Sequence, residues 1–215
     1  FDYLAEGESL RLTYNVKATD STDATSFGSD TVIVTITGSN DTPNITVEAG
    51  DSALENLTES DTTLSTTGTL SVSDKDLSNT VSVDVASVSA TGVTTGLSSN
   101  NTALLGMFSV DAEDVIANNS DNGVINYSFD SANASSAERF DYLGAGEVLT
   151  LTYVVKTTDA NGATDSQNVQ IKITGSNDAS SITANDVAGT IVEGTSLSDN
   201  GSISFSDVDL SDTPN

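Results

Sequence analysis

Apolar and polar residues alternate most regularly over residues 148–157, where Leu149, Leu151, Tyr153 and Val155 share one side of an extended chain. The same period of two runs through Val169, Ile171 and Ile173 in residues 166–175. A period of two sends neighbouring side chains to opposite faces, so each segment predicts a strand with one face in a core. Five further runs rich in Val, Ile, Thr and Ser, near 45–48, 64–73, 81–89, 105–110 and 123–129, are bounded by Gly, Asn and Asp turns and read as strands. Seven short strands in this stretch predict an all-β fold, a sandwich of two antiparallel sheets. No stretch carries a helical period, although 134–146 has room for a single helical turn.

The pattern is duplicated. Residues 1–14 (FDYLAEGESLRLTY) recur as 140–153 (FDYLGAGEVLTLTY), ITGSND at 36–41 recurs at 173–178, and LSVSDKDLS at 70–78 is echoed by ISFSDVDLS at 203–211. With ITGSND closing each unit, the chain divides into the C-terminal part of one repeat (1–41), one complete sandwich (42–178) and the N-terminal part of a third repeat (179–215). The two partial units cannot complete one another, because the counterpart of residues 82–139 is in neither. Such a chain reads as a tandem array of modules.

Composition narrows the function. Thirty-two acidic residues against six basic ones give a formal charge of -26. The six, Arg11, Lys17, Lys75, Arg139, Lys156 and Lys172, are scattered and form no patch, so nucleic acid is excluded as a partner. Cysteine and histidine are absent, which removes disulfides, thiolate nucleophiles and zinc-thiolate sites. No apolar run of about 18 residues is present, so no membrane insertion is expected in this segment. No basic-then-apolar leader opens it either, and an export signal or anchor is expected elsewhere in the parent protein.

Most of the acids sit in short turns, a placement that suits cation binding as well as solubility. Three constellations recur with the repeat. One is the junction Gly38-Ser39-Asn40-Asp41-Thr42-Pro43, echoed by Gly175-Ser176-Asn177-Asp178. The next is the DxD turn Asp74-Lys75-Asp76, echoed by Asp207-Val208-Asp209. The third joins a Glu before a strand (Glu59, Glu193), the Asp of FDYL (Asp2, Asp141) and the Asp of a late TTD turn (Asp159, with Asp20 in the earlier copy). Calcium takes six to eight hard oxygen ligands in flexible geometry, which carboxylates, Asn side chains and loop carbonyls supply. An isolated DxD is commonly no more than a turn cap; its recurrence beside a repeated ND junction points to calcium.

Residues 146–178, GEVLTLTYVVKTTDANGATDSQNVQIKITGSND, resemble the VCBS repeat of large bacterial adhesins, and similar acidic repeats occur in calcium-dependent adhesins exported by type I secretion. The order Glu, DxD, FDYL, TTD and NDxP also resembles the layout of cadherin domains, whose junctions hold calcium. The resemblance implies tandem Ig-like, cadherin-like Greek-key sandwiches. It also implies two ligand sets: Asp2, Asn40, Asp41, Asp74, Asp76 and Asp159 at the first junction, and Glu59, Asp141, Asn177, Asp178, Asp207 and Asp209 at the second. The chain departs from the cadherin layout at Leu4 and Leu143, where cadherins carry a further Glu, which leaves the ion count per junction open. It also has Ala179 and Ser180 where the first linker has Thr42 and Pro43.

An enzyme is not expected. Without His or Cys only a carboxylate pair remains for acid or base work, as in a glycosidase, and here the acids fall at repeated junctions instead of one cleft. A sugar- or peptide-binding module is the alternative, but there is no Trp platform and the binding face would be duplicated. The expectation is an extracellular, calcium-rigidified extender of a bacterial cell-surface adhesin, serving adhesion or biofilm formation, with calcium ions and neighbouring repeats as its partners. The two ND junctions are then expected at opposite ends of the complete sandwich.

Overall fold

The most regular alternation in the sequence becomes the centre of a sheet. In the computed structural model, which describes residues 1–22, 25–110, 114–133, 138–186, 188–195 and 197–212, β9 (Val148–Asp159) lies between β10 (Thr164–Thr174) and β6 (Val81–Gly92), antiparallel to both. β4 (Leu54–Thr58) joins the other side of β10 in parallel. The opposing sheet is wholly antiparallel, in the order β3 (Asn44–Thr46), β5 (Ser65–Ser73), β8 (Asn122–Asp130), β7 (Phe108–Val110). The first strand is split between the sheets and its second half runs parallel to the last. That is the order of an immunoglobulin-type Greek-key sandwich, so the chain is an all-β, Ig-like protein.

The two inner faces carry the alternating residues. Leu149, Leu151, Tyr153, Val155, Val169, Ile171 and Ile173 meet Leu70, Val72, Ile125, Tyr127 and Phe129 from the opposite sheet, all essentially buried. Phe108 stacks on Tyr153 with ring centroids 4.4 Å apart and on Tyr127 at 5.2 Å. The Tyr153 hydroxyl, buried among them, donates to the Leu104 carbonyl at 2.9 Å, as a buried phenol requires.

Three local readings are corrected. β4 was not anticipated, because Leu54-Glu55-Asn56-Leu57-Thr58 lacks β-branched alternation and is held by its register with residues 170–174. Residues 105–110 are only partly strand: a short helix, α1 (Asn101–Gly106), precedes β7. Its start is signalled by Asn100, whose side chain accepts from Ala103 N at 3.0 Å, and it seals one end of the core with Leu104. The described part of 134–146 carries no helical turn; a 3-10 turn lies before it, over Ser131–Asn133, and residues 134–137 lie outside the described residues.

Two hairpins flank the sandwich. β1 (Ser9–Thr19) pairs with β2 (Thr25–Thr37), and β11 (Ser181–Ala184) with β12 (Ile203–Ser206). β1 and β2 repeat the sequences of β9 and β10, yet Tyr14 is 53% exposed where Tyr153 is 0%, and Val32 is 50% exposed where Val169 is 0%. Among the described residues no second sheet covers the hairpin, so these positions stay exposed although the residue types match.

Candidate metal centres at the two junctions

Each junction starts from a corner made by FDYL. Leu4 N donates to the Phe1 carbonyl at 3.1 Å and Leu143 N to that of Phe140 at 3.0 Å. One turn on, Ala5 N donates to Glu8 Oε2 at 3.0 Å and Gly144 N to Glu147 Oε2 at 2.9 Å. The glycine of ITGSND packs under this corner so closely that a Cβ on Gly38 or Gly175 would collide with the Leu4 or Leu143 carbonyl. Only glycine permits that approach, and it delivers the following Asn-Asp to the end of the corner.

The linker and the DxD turn then meet through the same bonds at both places. Asp74 Oδ1 accepts from Asp76 N at 3.0 Å, and Asp207 Oδ1 from Asp209 N at 3.1 Å. Asp41 N donates to Asp76 Oδ2 at 2.8 Å, and Asp178 N to Asp209 Oδ2 at 2.9 Å. Asn40 Nδ2 donates to the Asp41 carbonyl at 2.9 Å, and Asn177 Nδ2 to that of Asp178 at 2.7 Å. The corner and the turn also touch directly: Leu77 N donates to the Tyr3 carbonyl at 3.3 Å and Leu210 N to that of Tyr142 at 3.2 Å.

At the first junction Asp159 closes the group. Its Oδ2 accepts from Asn40 Nδ2 at 2.8 Å while its Oδ1 takes the Asn161 and Ala163 N–H groups of the TTD turn. Asn79, not anticipated from the sequence, donates to Asn40 Oδ1 at 3.1 Å. Asp74, Asp76 and Asp159 are all buried. Burial pushes the carboxyls of Asp74 and Asp76 above the ordinary range, and the charges of Asp41 and Asp159 add to the shift. Asp2 stands apart: its exposed carboxylate lies 3.7 Å from Lys75 Nζ.

At the second junction the groups come from β4, the FDYL corner and the linker. Glu59, only 1% exposed, accepts from Asp61 N at 2.7 Å and from Ser176 Oγ at 2.9 Å. Glu59, Asp61 and Asp178 bring carboxylate oxygens within 4.8 Å of one another, a cluster that can hold a metal ion. Asp61 was missed in the sequence, where it reads as a turn aspartate; the signal was its spacing of two from Glu59. Burial, then contact with the Asp61 carboxyl, pushes Asp178 up to about 6, and burial with the Glu59 charge raises Asp141.

Among the described residues, five carboxylate oxygens, Asp74 Oδ2, Asp76 Oδ1, Asp141 Oδ1, Asp178 Oδ2 and Asp209 Oδ1, are buried without a hydrogen-bond partner. A buried carboxylate costs several kcal/mol unless a proton or a cation answers it. All the donors are oxygens, which fits a hard divalent cation of the calcium or magnesium type better than zinc or copper. The two groups lie at opposite ends of the sandwich. Asp159 ends β9, whereas Asp178 follows β10 next to the start of β9, and the 12 residues of that strand span roughly 40 Å.

No family model matches the chain, and no curated protein matches it. Among solved structures it is similar to the CooA pilin subunit from enterotoxigenic Escherichia coli, at 13% identity over 65% of this chain and 100% of that one, with a TM-score of 0.39. It is also similar to a PapD-like domain of human CEP192, at 6% identity over 63% of this chain and 86% of that one, with a TM-score of 0.37. Likeness of this grade carries no argument about function, which rests on the junctions themselves.

Proposed function

We propose that this chain is a calcium-stiffened spacer, an extender of a bacterial cell-surface adhesin whose repeats hold a distal binding region away from the cell. It acts outside the cell, through calcium and neighbouring repeats, and performs no catalysis. The observation that carries this reading is the set of buried, unpartnered carboxylate oxygens at both ends of one sandwich, Asp74 and Asp76 where the linker enters and Asp141, Asp178 and Asp209 where it leaves. Asn40, Asp41, Asp74, Asp76 and Asp159 gather at one end, with Glu59, Asp141, Asn177, Asp178, Asp207 and Asp209 at the other. Asp2, the sequence counterpart of Asp141, lies outside this set, exposed beside Lys75.

Without a cation these carboxylates repel, each close pair by about 1 kcal/mol even at water-like dielectric, and the repeats reorient about the linker. Calcium neutralises that charge and ties groups of both repeats to one centre. Extracellular modules bind it with dissociation constants on the order of 10⁻⁴ to 10⁻³ M, which suits a joint that is loose during export and locked outside. Small-angle scattering on a chain of two complete repeats tests this. The maximum dimension should grow and flexibility fall on adding calcium, and return with chelator; identical profiles would leave a spacer whose acids serve only solubility.

A further inference from the structure

We propose that Asp61 is a cation ligand, and that Glu59, Asp61 and Asp178 form a divalent-cation subsite of their own at the second junction, beside the Asp207/Asp209 turn. Three observations converge there. The three side chains already present oxygens within 4.8 Å of one another, although they come from the end of β4, the turn after it and the linker more than a hundred residues later. Next to them Asp209 is 1% exposed; its Oδ2 is used by Asp178 N and its Oδ1 is buried with no partner, as is Asp178 Oδ2. Finally, among the described residues the ion pairs of Lys and Arg do not reach this cluster, and the Arg139 charge acts on neighbouring Asp141.

The internal hydrogen bonds leave the cluster short of a counter-charge. Glu59 Oε2 accepts from both the N–H and the hydroxyl of Ser176, while Oε1 accepts from Asp61 N and keeps a second lone pair. Asp61 and Asp178 meet carboxylate to carboxylate, an approach that calls for a shared proton or a cation between them. Calcium chemistry suits the cluster, since carboxylates binding through one or both oxygens can supply much of its coordination.

This inference rests on the spacer reading, and the test separates the two. Calorimetric titration of the full 215-residue chain with calcium chloride, after chelator treatment, counts ions per chain. Asp61→Asn keeps the turn, because Asn tolerates the positive φ of 44° found at this residue. It should lower the count by one or weaken one class of sites at least tenfold, while the chelated protein melts no lower than the wild type. Asp61→Gly, which also accepts that backbone, should do the same. If the wild type binds calcium and both variants match it in count and affinity, the Asp61 subsite is overturned and the spacer reading stands. A wild type that binds no calcium overturns both.

Discussion

The two junctions match bond for bond where linker meets DxD turn, and the one complete sandwich supplies different groups to each. Around Asp76 the additional groups are Asp159 and Asn79, supplied by the sandwich that follows the linker. Around Asp209 they are Glu59, Asp61 and Asp141, supplied by the sandwich that precedes it. One sandwich therefore carries two unlike ends, one that receives a linker and one that sends it out. At the second junction the buried orphan oxygens come from both sides of the linker, Asp141 before it, Asp178 within it and Asp209 after it.

The largest effect should come from removing the common piece. Asp74→Ala with Asp76→Ala is expected to weaken calcium at the first junction by roughly 100-fold, about 2.8 kcal/mol, leaving the second junction and the circular dichroism of the sandwich intact. A calorimetric profile that loses both classes of site would show that the junctions are not independent. Removing the ion is next: calcium at about 100 times its dissociation constant should add roughly 2.7 kcal/mol per independent site, read as a melting temperature that falls with chelator.

The glycines beneath the corners sharpen the contrast further. Gly175→Ala drives a methyl into the Leu143 carbonyl within the folded sandwich and should cost about 1 to 3 kcal/mol. Gly38→Ala makes the same clash in the exposed hairpin and should leave the main melting transition where it is.

The smallest effect is on pH dependence. Asp74, Asp76, Asp141 and Asp178 have carboxyls raised above 3.8 in the folded chain, Asp178 to about 6. The folded state then binds more protons than the unfolded one between these limits, so the chelated protein should gain stability as pH falls from 7 toward about 4. Melting curves should show that gain, and saturating calcium at neutral pH should remove the incentive to protonate and flatten the slope.

Much of this was legible because it is local and duplicated. The alternation in residues 148–157 and 166–175 identified β9 and β10, and the repeated ND and DxD motifs pointed to groups the fold does bring together. What escaped depends on non-local geometry. β4 is a strand only through its parallel register with β10, and Asp61 is remarkable only because Asp178 arrives beside it from the far end of the chain. α1 is six residues long, too short to show a helical period.

The parallel pairing of β4 with β10 has a mechanical meaning. In the proposed spacer, tension would enter the sandwich through the linker before β3 and leave through the linker after β10. Leu54–Thr58 and residues 170–174 run side by side in the same direction, so opposite pulls on the early and late ends of the chain slide one strand along the other. The hydrogen bonds between them are loaded together, in shear, and do not open one at a time from a free edge. The short strand that is least conspicuous in the sequence thus sits where a pulled module would first have to give way.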